Sequence, residues 1–112
     1  MRIAVDARVL GLPELRGIGS YVRELLAAWP EPEDSFVLLA PEAIPPERIR
    51  SAARVESVLV PAPRGGRFRV WDWWSLPRAA RRTVPDLFWS PANLAAPLSG
   101  VPQAVTIHDT LL

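Results

Sequence analysis

The chain alternates short apolar runs with intervals of helical or proline-rich sequence, and this alternation limits its fold more than any other feature. The predicted strands cover residues 2–6, 35–40, 54–60, 86–90 and 103–107. Each run is short and strongly apolar or β-branched, which is typical of buried strands in a parallel sheet. Strands that alternate with helical crossovers predict an α/β fold with a doubly wound, mostly parallel sheet.

Three intervals between these runs predict helical segments. After Gly17, apolar side chains recur at spacings of three and four up to Trp29, which predicts an amphipathic helix that Pro30 ends. Residues 46–53 can form a short helix. Residues 70–84 predict a buried helical segment, in which Pro77 begins or kinks the second half and Ser75 is the candidate cap.

Composition excludes several classes of function. The 112 residues fit one domain, and 49% hydrophobic residues indicate a folded core. All 13 basic residues are arginine, so no lysine can serve a phosphate-loop, kinase or Schiff-base site. The absence of cysteine excludes disulfides, thiolate metal sites and cysteine nucleophiles, and a single histidine excludes multi-histidine metal sites.

Charge and hydropathy give expectations about location and partners. A net charge of +1 provides no overall attraction to nucleic acid, and no apolar run is long enough to cross a membrane. Arg2, Asp6 and Arg8 interrupt what would be the apolar centre of a signal peptide. We therefore expect a cytoplasmic protein that does not bind nucleic acid.

A glycine turn opens the first predicted helix and is one candidate binding site. In the turn Gly17, Ile18, Gly19 and Ser20, the two glycines would let backbone amides approach a phosphate or carboxylate at the helix N-terminus. A structural alternative is that the glycines only make a tight turn. Dinucleotide binding is not expected, because Val22 occupies the position of the third fingerprint glycine.

Polar residues at the ends of the last two strands form a second candidate site. His108 and Asp109 follow the final strand, and Ser90, Asn93 and Thr106 lie near the carboxyl ends of the same two strands. Ligands bind at this edge of open α/β sheets, and these side chains could hydrogen-bond a polyhydroxylated ligand. The alternative is that a lone histidine is a surface or packed residue.

A segment rich in arginine and tryptophan runs from Arg64 to Arg82. Residues 64–82 carry a charge of +5, against −4 for the rest of the chain. With their aromatic residues they could bind anionic lipid, an anionic acceptor or single-stranded nucleic acid. The favoured interpretation is structural: the tryptophans pack under the sheet and the arginines face solvent.

Five sequence blocks, in order along the chain, resemble the opening of a known family. They are MRIAVDARVL (1–10), GIGSYVRELL (17–26), WSLP (74–77), DLFWSPAN (86–93) and VTIHDTLL (105–112). Together they are similar to the group 1 (family 4) retaining glycosyltransferases, especially mannosyltransferase-like bacterial members. The resemblance implies a GT-B enzyme with two Rossmann-like domains, of which this chain is the N-terminal, acceptor-side one.

The resemblance also implies roles for single residues. Gly17 and Gly19 correspond to a turn near the donor diphosphate or acceptor, and Ile18 and Ser20 lie in the same turn. His108 and Asp109 resemble the histidine motif near the transferred sugar, and Asn93 lies in a motif on the acceptor side. Ser20 replaces an arginine that is common in the family, so a cationic contact is not expected there.

The implied reaction transfers a sugar from a nucleotide diphosphate sugar, without a metal or other cofactor, to a glycan, lipid-linked or small-molecule acceptor. The expected partners are donor, acceptor and a C-terminal nucleotide-sugar domain, with peripheral contact at the inner face of the membrane. The chain stops where a further crossover would begin, so we expect residues 1–112 to be a truncated domain that is inactive alone. Two alternatives stay open: a stand-alone module that binds anionic lipid or nucleic acid through the Arg64 to Arg82 segment, and another GT-B enzyme, such as an epimerase or a starch synthase relative.

Overall fold

A computed structural model describes residues 1–62, 70–91 and 96–107. In these residues five parallel strands form one sheet in the order β3-β2-β1-β4-β5. The strands are β1 (Arg2–Asp6), β2 (Ser35–Ala40), β3 (Arg54–Leu59), β4 (Leu87–Ser90) and β5 (Gln103–Val105). This order is that of a doubly wound α/β sheet, so the predicted fold class is confirmed.

Helical segments cover both faces of the sheet. Helix α1 (Gly17–Ala28) connects β1 to β2, and helix α2 (Leu76–Arg82) precedes β4. Side chains alternate along each strand, so Ile3 and Val5 pack with Val22 and Leu26 of α1, in a first core cluster. On the opposite face a second cluster joins Ala4, Val37 and Phe88 of the sheet to Leu76 and Ala80 of α2.

One π-helical turn, Trp71–Ser75, runs directly into α2. The Leu76 amide donates to the Trp71 carbonyl, an i to i+5 hydrogen bond. Residues five apart point in different directions on an α-helix, whereas the wider turn lets Trp71 and Leu76 both be buried against the sheet. Trp71 is fixed further by its indole N–H, which donates to the Val60 carbonyl at 2.8 Å.

Several predicted boundaries and one predicted cap are wrong. The segment 46–53 forms only a 3-10 turn, Pro46–Arg48, and β3, β4 and β5 are each shorter than predicted, by one or two residues at one end. Ser75 does not cap α2, because the π-helical turn continues into the helix and leaves no free N-terminus. A second 3-10 turn, Arg8–Gly11, was not predicted.

Val84 is strained where the chain leaves α2. Its φ is +49°, in the left-handed region that β-branched residues avoid, and its side chain is exposed. The Val84 amide donates to the Arg81 carbonyl at 3.1 Å, so the strained residue closes the helix.

Val84→Gly is expected to raise the free energy of unfolding by about 1 kcal/mol, because glycine adopts this conformation without a Cβ clash. Chemical denaturation of the purified chain measures the change. Val84→Ala is the matched control: it removes the exposed isopropyl group but keeps a Cβ, and should recover less of the strain. Equal gains from both variants would show that side-chain strain is not released.

Candidate active site

A crevice opens between the carboxyl ends of β1 and β4. The chain leaves β1 toward β2 and leaves β4 toward β5, in opposite directions across the sheet. In open α/β sheets such a topological switch point is where ligands bind. We call this cavity, of about 240 Å³, the switch-point crevice. Its described lining residues are Asp6, Arg8, Asp72, Trp73, Leu76, Ser90, Ala96 and Pro97.

Strand register brings Asp6 and Ser90 to the mouth of this crevice. Val5 is the partner of Trp89, so one further residue along the parallel strands sets Asp6 beside Ser90. Both point to the face that holds the second core cluster, since Ala4 and Phe88 lie two residues earlier. The two side chains are buried, although each is polar.

The Asp6 carboxylate is held by Arg8. The Arg8 Nε atom donates to Asp6 Oδ1 at 3.0 Å, and Nη2 donates to Asp6 Oδ2 at 2.8 Å, which is a bidentate pair. Arg8 Nη2 also donates to Asp72 Oδ1 on the π-helical turn. The guanidinium carbon lies 4.5 Å from the centroid of the buried Trp71 ring. One cation therefore joins two carboxylates across the crevice.

The electrostatics of Arg8 follow from this environment. Burial alone would lower the pKa of its guanidinium, but hydrogen bonds and charges from Asp6 and then Asp72 outweigh it, so the pKa lies above its ordinary value. Arg8 is consequently a permanent cation that neutralises part of an acidic site.

Ser90 carries a buried hydroxyl with no protein partner among the described residues. No group in residues 1–62, 70–91 or 96–107 hydrogen-bonds its Oγ atom. A buried polar atom without a partner costs stability, and it is explained most simply by a ligand or water that completes it. This hydroxyl makes the crevice a candidate site for a polar ligand group.

A protein-family model described as Glycosyltransferase Family 4 matches residues 15–112. The chain belongs to this glycosyltransferase family. Its fold is accordingly the N-terminal domain type of a GT-B glycosyltransferase, and the family indicates transferase activity in general. Comparisons with curated proteins and with solved structures give no significant match. Asp72 and Ser90 lie inside the matched range, whereas Asp6 and Arg8 precede it.

The glycine turn of this glycosyltransferase domain does not line the switch-point crevice. Gly17 begins α1, and the Ser20 amide donates to the Arg16 carbonyl at 2.7 Å as in any first helical turn. A Cβ on Gly19 would lie 2.8 Å from a Leu15 methyl and 3.2 Å from the Val9 carbonyl oxygen, while a Cβ on Gly17 would meet nothing within 4 Å. Close packing therefore accounts for Gly19. Ligand binding by residues 17–20 stays a prediction.

The other predicted site residues divide into described and undescribed ones. Thr106 lies next to β4: its amide donates to the Ser90 carbonyl at 2.9 Å, and its Oγ1 accepts from the Trp89 indole at 2.8 Å. It does not line the crevice. Asn93, His108 and Asp109 lie outside the described residues.

The tryptophans of the arginine-rich segment separate into two environments. Trp71 is buried, as predicted, but Trp73 is 69% exposed and Trp74 is 62% exposed, so the expectation that all three pack under the sheet is wrong for these two. The guanidinium of Arg78 lies 5.7 Å from the Trp74 ring centroid. Arg64, Arg67, Phe68 and Arg69 lie outside the described residues.

Sequence reasoning missed the linkage of Asp6, Arg8 and Asp72. The available signal was an acid that closes a buried strand at the edge where ligands bind, with a base two residues later.

Within the described residues, no cluster of three or more acidic or histidine side chains could hold a metal ion. No helix in that part of the chain is long and apolar enough to span a membrane.

Arg8→Ala is expected to lower the free energy of unfolding by about 3 kcal/mol, because it leaves the buried Asp6 carboxylate without its counter-charge. Arg16→Ala is the matched control: its ion pair with Glu14 is exposed on both sides, so its loss should cost less than about 1 kcal/mol. Urea denaturation of both variants measures the difference. Similar costs for the two would contradict a structural role for the Asp6 and Arg8 pair.

Proposed function

We propose that this chain is the acceptor-side domain of a retaining glycosyltransferase. It would transfer a hexose, in the manner of mannosyltransferase-like enzymes, from a nucleotide diphosphate sugar to a glycan, lipid-linked or small-molecule acceptor. Two observations together carry this proposal: family membership, and the switch-point crevice, where the Ser90 hydroxyl has no partner among the described residues.

The size of the crevice supports an acceptor-side role. At about 240 Å³ it lies below the roughly 300–1,000 Å³ of sites that enclose drug-sized ligands. A single sugar ring is a better match than a complete nucleotide sugar, which would occupy a second domain. Catalysis would need both, because the developing oxocarbenium charge and the departing diphosphate must be stabilised together. The domain alone is therefore proposed to be inactive.

Residues predicted from the sequence complete the proposed site. His108 and Asp109 would lie near the transferred sugar and Asn93 on the acceptor side, with Thr106 and the Gly17 to Ser20 turn as further substrate contacts. No metal or cofactor is proposed, since basic groups of the other domain would neutralise the negative charge of the leaving diphosphate.

A second candidate function is contact with an anionic membrane surface in the cytoplasm. Exposed Trp73 and Trp74 lie on the same short segment as Arg78, Arg81 and Arg82 of α2. Aromatic and basic side chains together favour the interface of anionic bilayers. This contact would bring the enzyme to a lipid-linked acceptor, and nucleic acid is not proposed as a partner.

The transferase proposal is tested by incubating the protein, together with its nucleotide-sugar-binding domain, with a panel of nucleotide diphosphate hexoses and candidate acceptors. The expected result is acceptor-dependent release of nucleoside diphosphate in the presence of a chelator, with the donor's anomeric configuration retained in the product by NMR. No transfer from any donor would contradict the proposal, and an inverted anomer would contradict the retaining mechanism.

His108→Ala in the same enzyme is expected to lower kcat by about 100-fold or more, because it removes a group placed next to the transferred sugar. Circular dichroism and thermal unfolding should stay like those of the parent protein. His108→Gln serves as a control for side-chain size. An unchanged kcat in both variants would remove His108 from the site.

A further inference from the structure

We propose that the switch-point crevice selects a neutral sugar ring of the acceptor, stacked on Trp73, and disfavours a ring that carries a phosphate. This inference rests on the proposed function and names the substrate class of its acceptor site. Three features of the described lining carry it: charge, an unpartnered hydroxyl and an exposed aromatic ring.

Charge argues against an anionic ligand. Arg8 is the cation among the described lining residues, and its guanidinium already joins the carboxylates of Asp6 and Asp72. These three groups carry a net charge of −1. The Nε and Nη2 atoms of Arg8 already bind these carboxylates, so a phosphate near the guanidinium would be repelled by both acids. Displacing Asp6 would leave a deeply buried carboxylate without its partner.

Hydrogen-bonding groups of the crevice suit hydroxyls. The Ser90 hydroxyl is buried, lacks a partner among the described residues and can donate one hydrogen bond as well as accept. Carboxylates accept only, and each offers more acceptor sites than Arg8 occupies. Sugar hydroxyls both donate and accept, so one ring could satisfy Ser90 and use the acceptor sites of Asp72.

Trp73 supplies the apolar side of the site. Its side chain lines the crevice although it is 69% exposed, and Leu76 and Pro97 lie along the same cavity. Its exposed indole offers a large apolar face to a ligand in the crevice. The C–H face of a pyranose ring would cover it, which a planar or linear anion would not do as well.

The experiment titrates the ¹⁵N-labelled chain with methyl glycosides of mannose, glucose and galactose and with the corresponding 6-phosphates. We expect at least one neutral glycoside to shift the amide signals of Asp6, Arg8 and Ser90 at millimolar concentration, with its 6-phosphate at least tenfold weaker. Shifts caused by no neutral glycoside, or by the 6-phosphates at equal or lower concentration, would overturn the proposal.

Three variants test the contacts. Trp73→Ala is expected to raise the dissociation constant about tenfold, whereas Trp74→Ala, equally exposed but outside the crevice, should leave it unchanged. Ser90→Ala should weaken glycoside binding several-fold while leaving thermal stability unchanged or higher, because it deletes an unsatisfied buried hydroxyl. Equal effects of the two tryptophan variants, or undiminished binding by Ser90→Ala, would overturn the proposal.

A charge variant tests the selectivity. Asp72→Asn keeps the bidentate pair of Arg8 with Asp6 but makes the three groups neutral in sum, so the preference for the neutral glycoside over its 6-phosphate should fall. An unchanged preference would contradict the electrostatic explanation. Binding is measured without turnover, so the two proposals can fail separately. Glycoside binding by a protein that transfers no sugar would contradict only the proposed function. Sugar transfer by a protein whose Trp73→Ala and Trp74→Ala variants have the same glycoside affinity would contradict only this inference.

Discussion

The structure around the switch-point crevice depends on the ion pair between Arg8 and the buried Asp6 carboxylate at the end of β1. β1 lies in the middle of the sheet, so Asp6 leaves the strand inside the protein, where an unpaired charge is strongly unfavourable. The 3-10 turn Arg8–Gly11 returns the chain so that Arg8 can bind both oxygens of Asp6. The same guanidinium reaches Asp72, which ties the loop after β1 to the segment before α2. The two walls of the crevice are thereby held by one cation.

The π-helical turn Trp71–Ser75 determines what this cation faces. Burying both Trp71 and Leu76 requires the wider i to i+5 geometry, and the four residues between them are more exposed than either. The Trp71 ring packs against the Arg8 guanidinium, while Asp72 and Trp73 line the switch-point crevice. A local departure from α-helical geometry thus places one acid and one aromatic ring at the switch point. π-helical turns occur frequently at functional sites, which agrees with this position.

Sequence patterns predicted the architecture well because buried apolar side chains recur at regular positions along its strands and helices. Residues 2–6 and 35–40 are strands as predicted, since nearly every side chain in them is buried and apolar. Patterns failed where the structure depends on contacts between distant residues: Arg8 and Asp72 are 64 residues apart, and no periodicity relates them. The exposure of Trp73 and Trp74 was missed for a related reason. Three tryptophans within four residues are typical of a buried helix, but in the π-helical turn only Trp71 of the three is buried. His108, Asp109 and Asn93 rest on resemblance, and their placement lies outside the described residues.

In this chain the number of arginines does not measure the capacity to bind anions. Arg8 bridges two carboxylates, Arg48 donates to the carbonyls of Leu10, Leu12 and Pro13, and Arg2 donates to the Thr83 carbonyl at 2.6 Å. A planar guanidinium with five donors can hold several backbone or carboxylate oxygens at once, which a lysine ammonium does less well. These arginines are therefore committed to joining separate parts of the fold. An excess of arginine over acid does not by itself make an anion site, and the switch-point crevice is acidic although the chain as a whole carries a small positive charge.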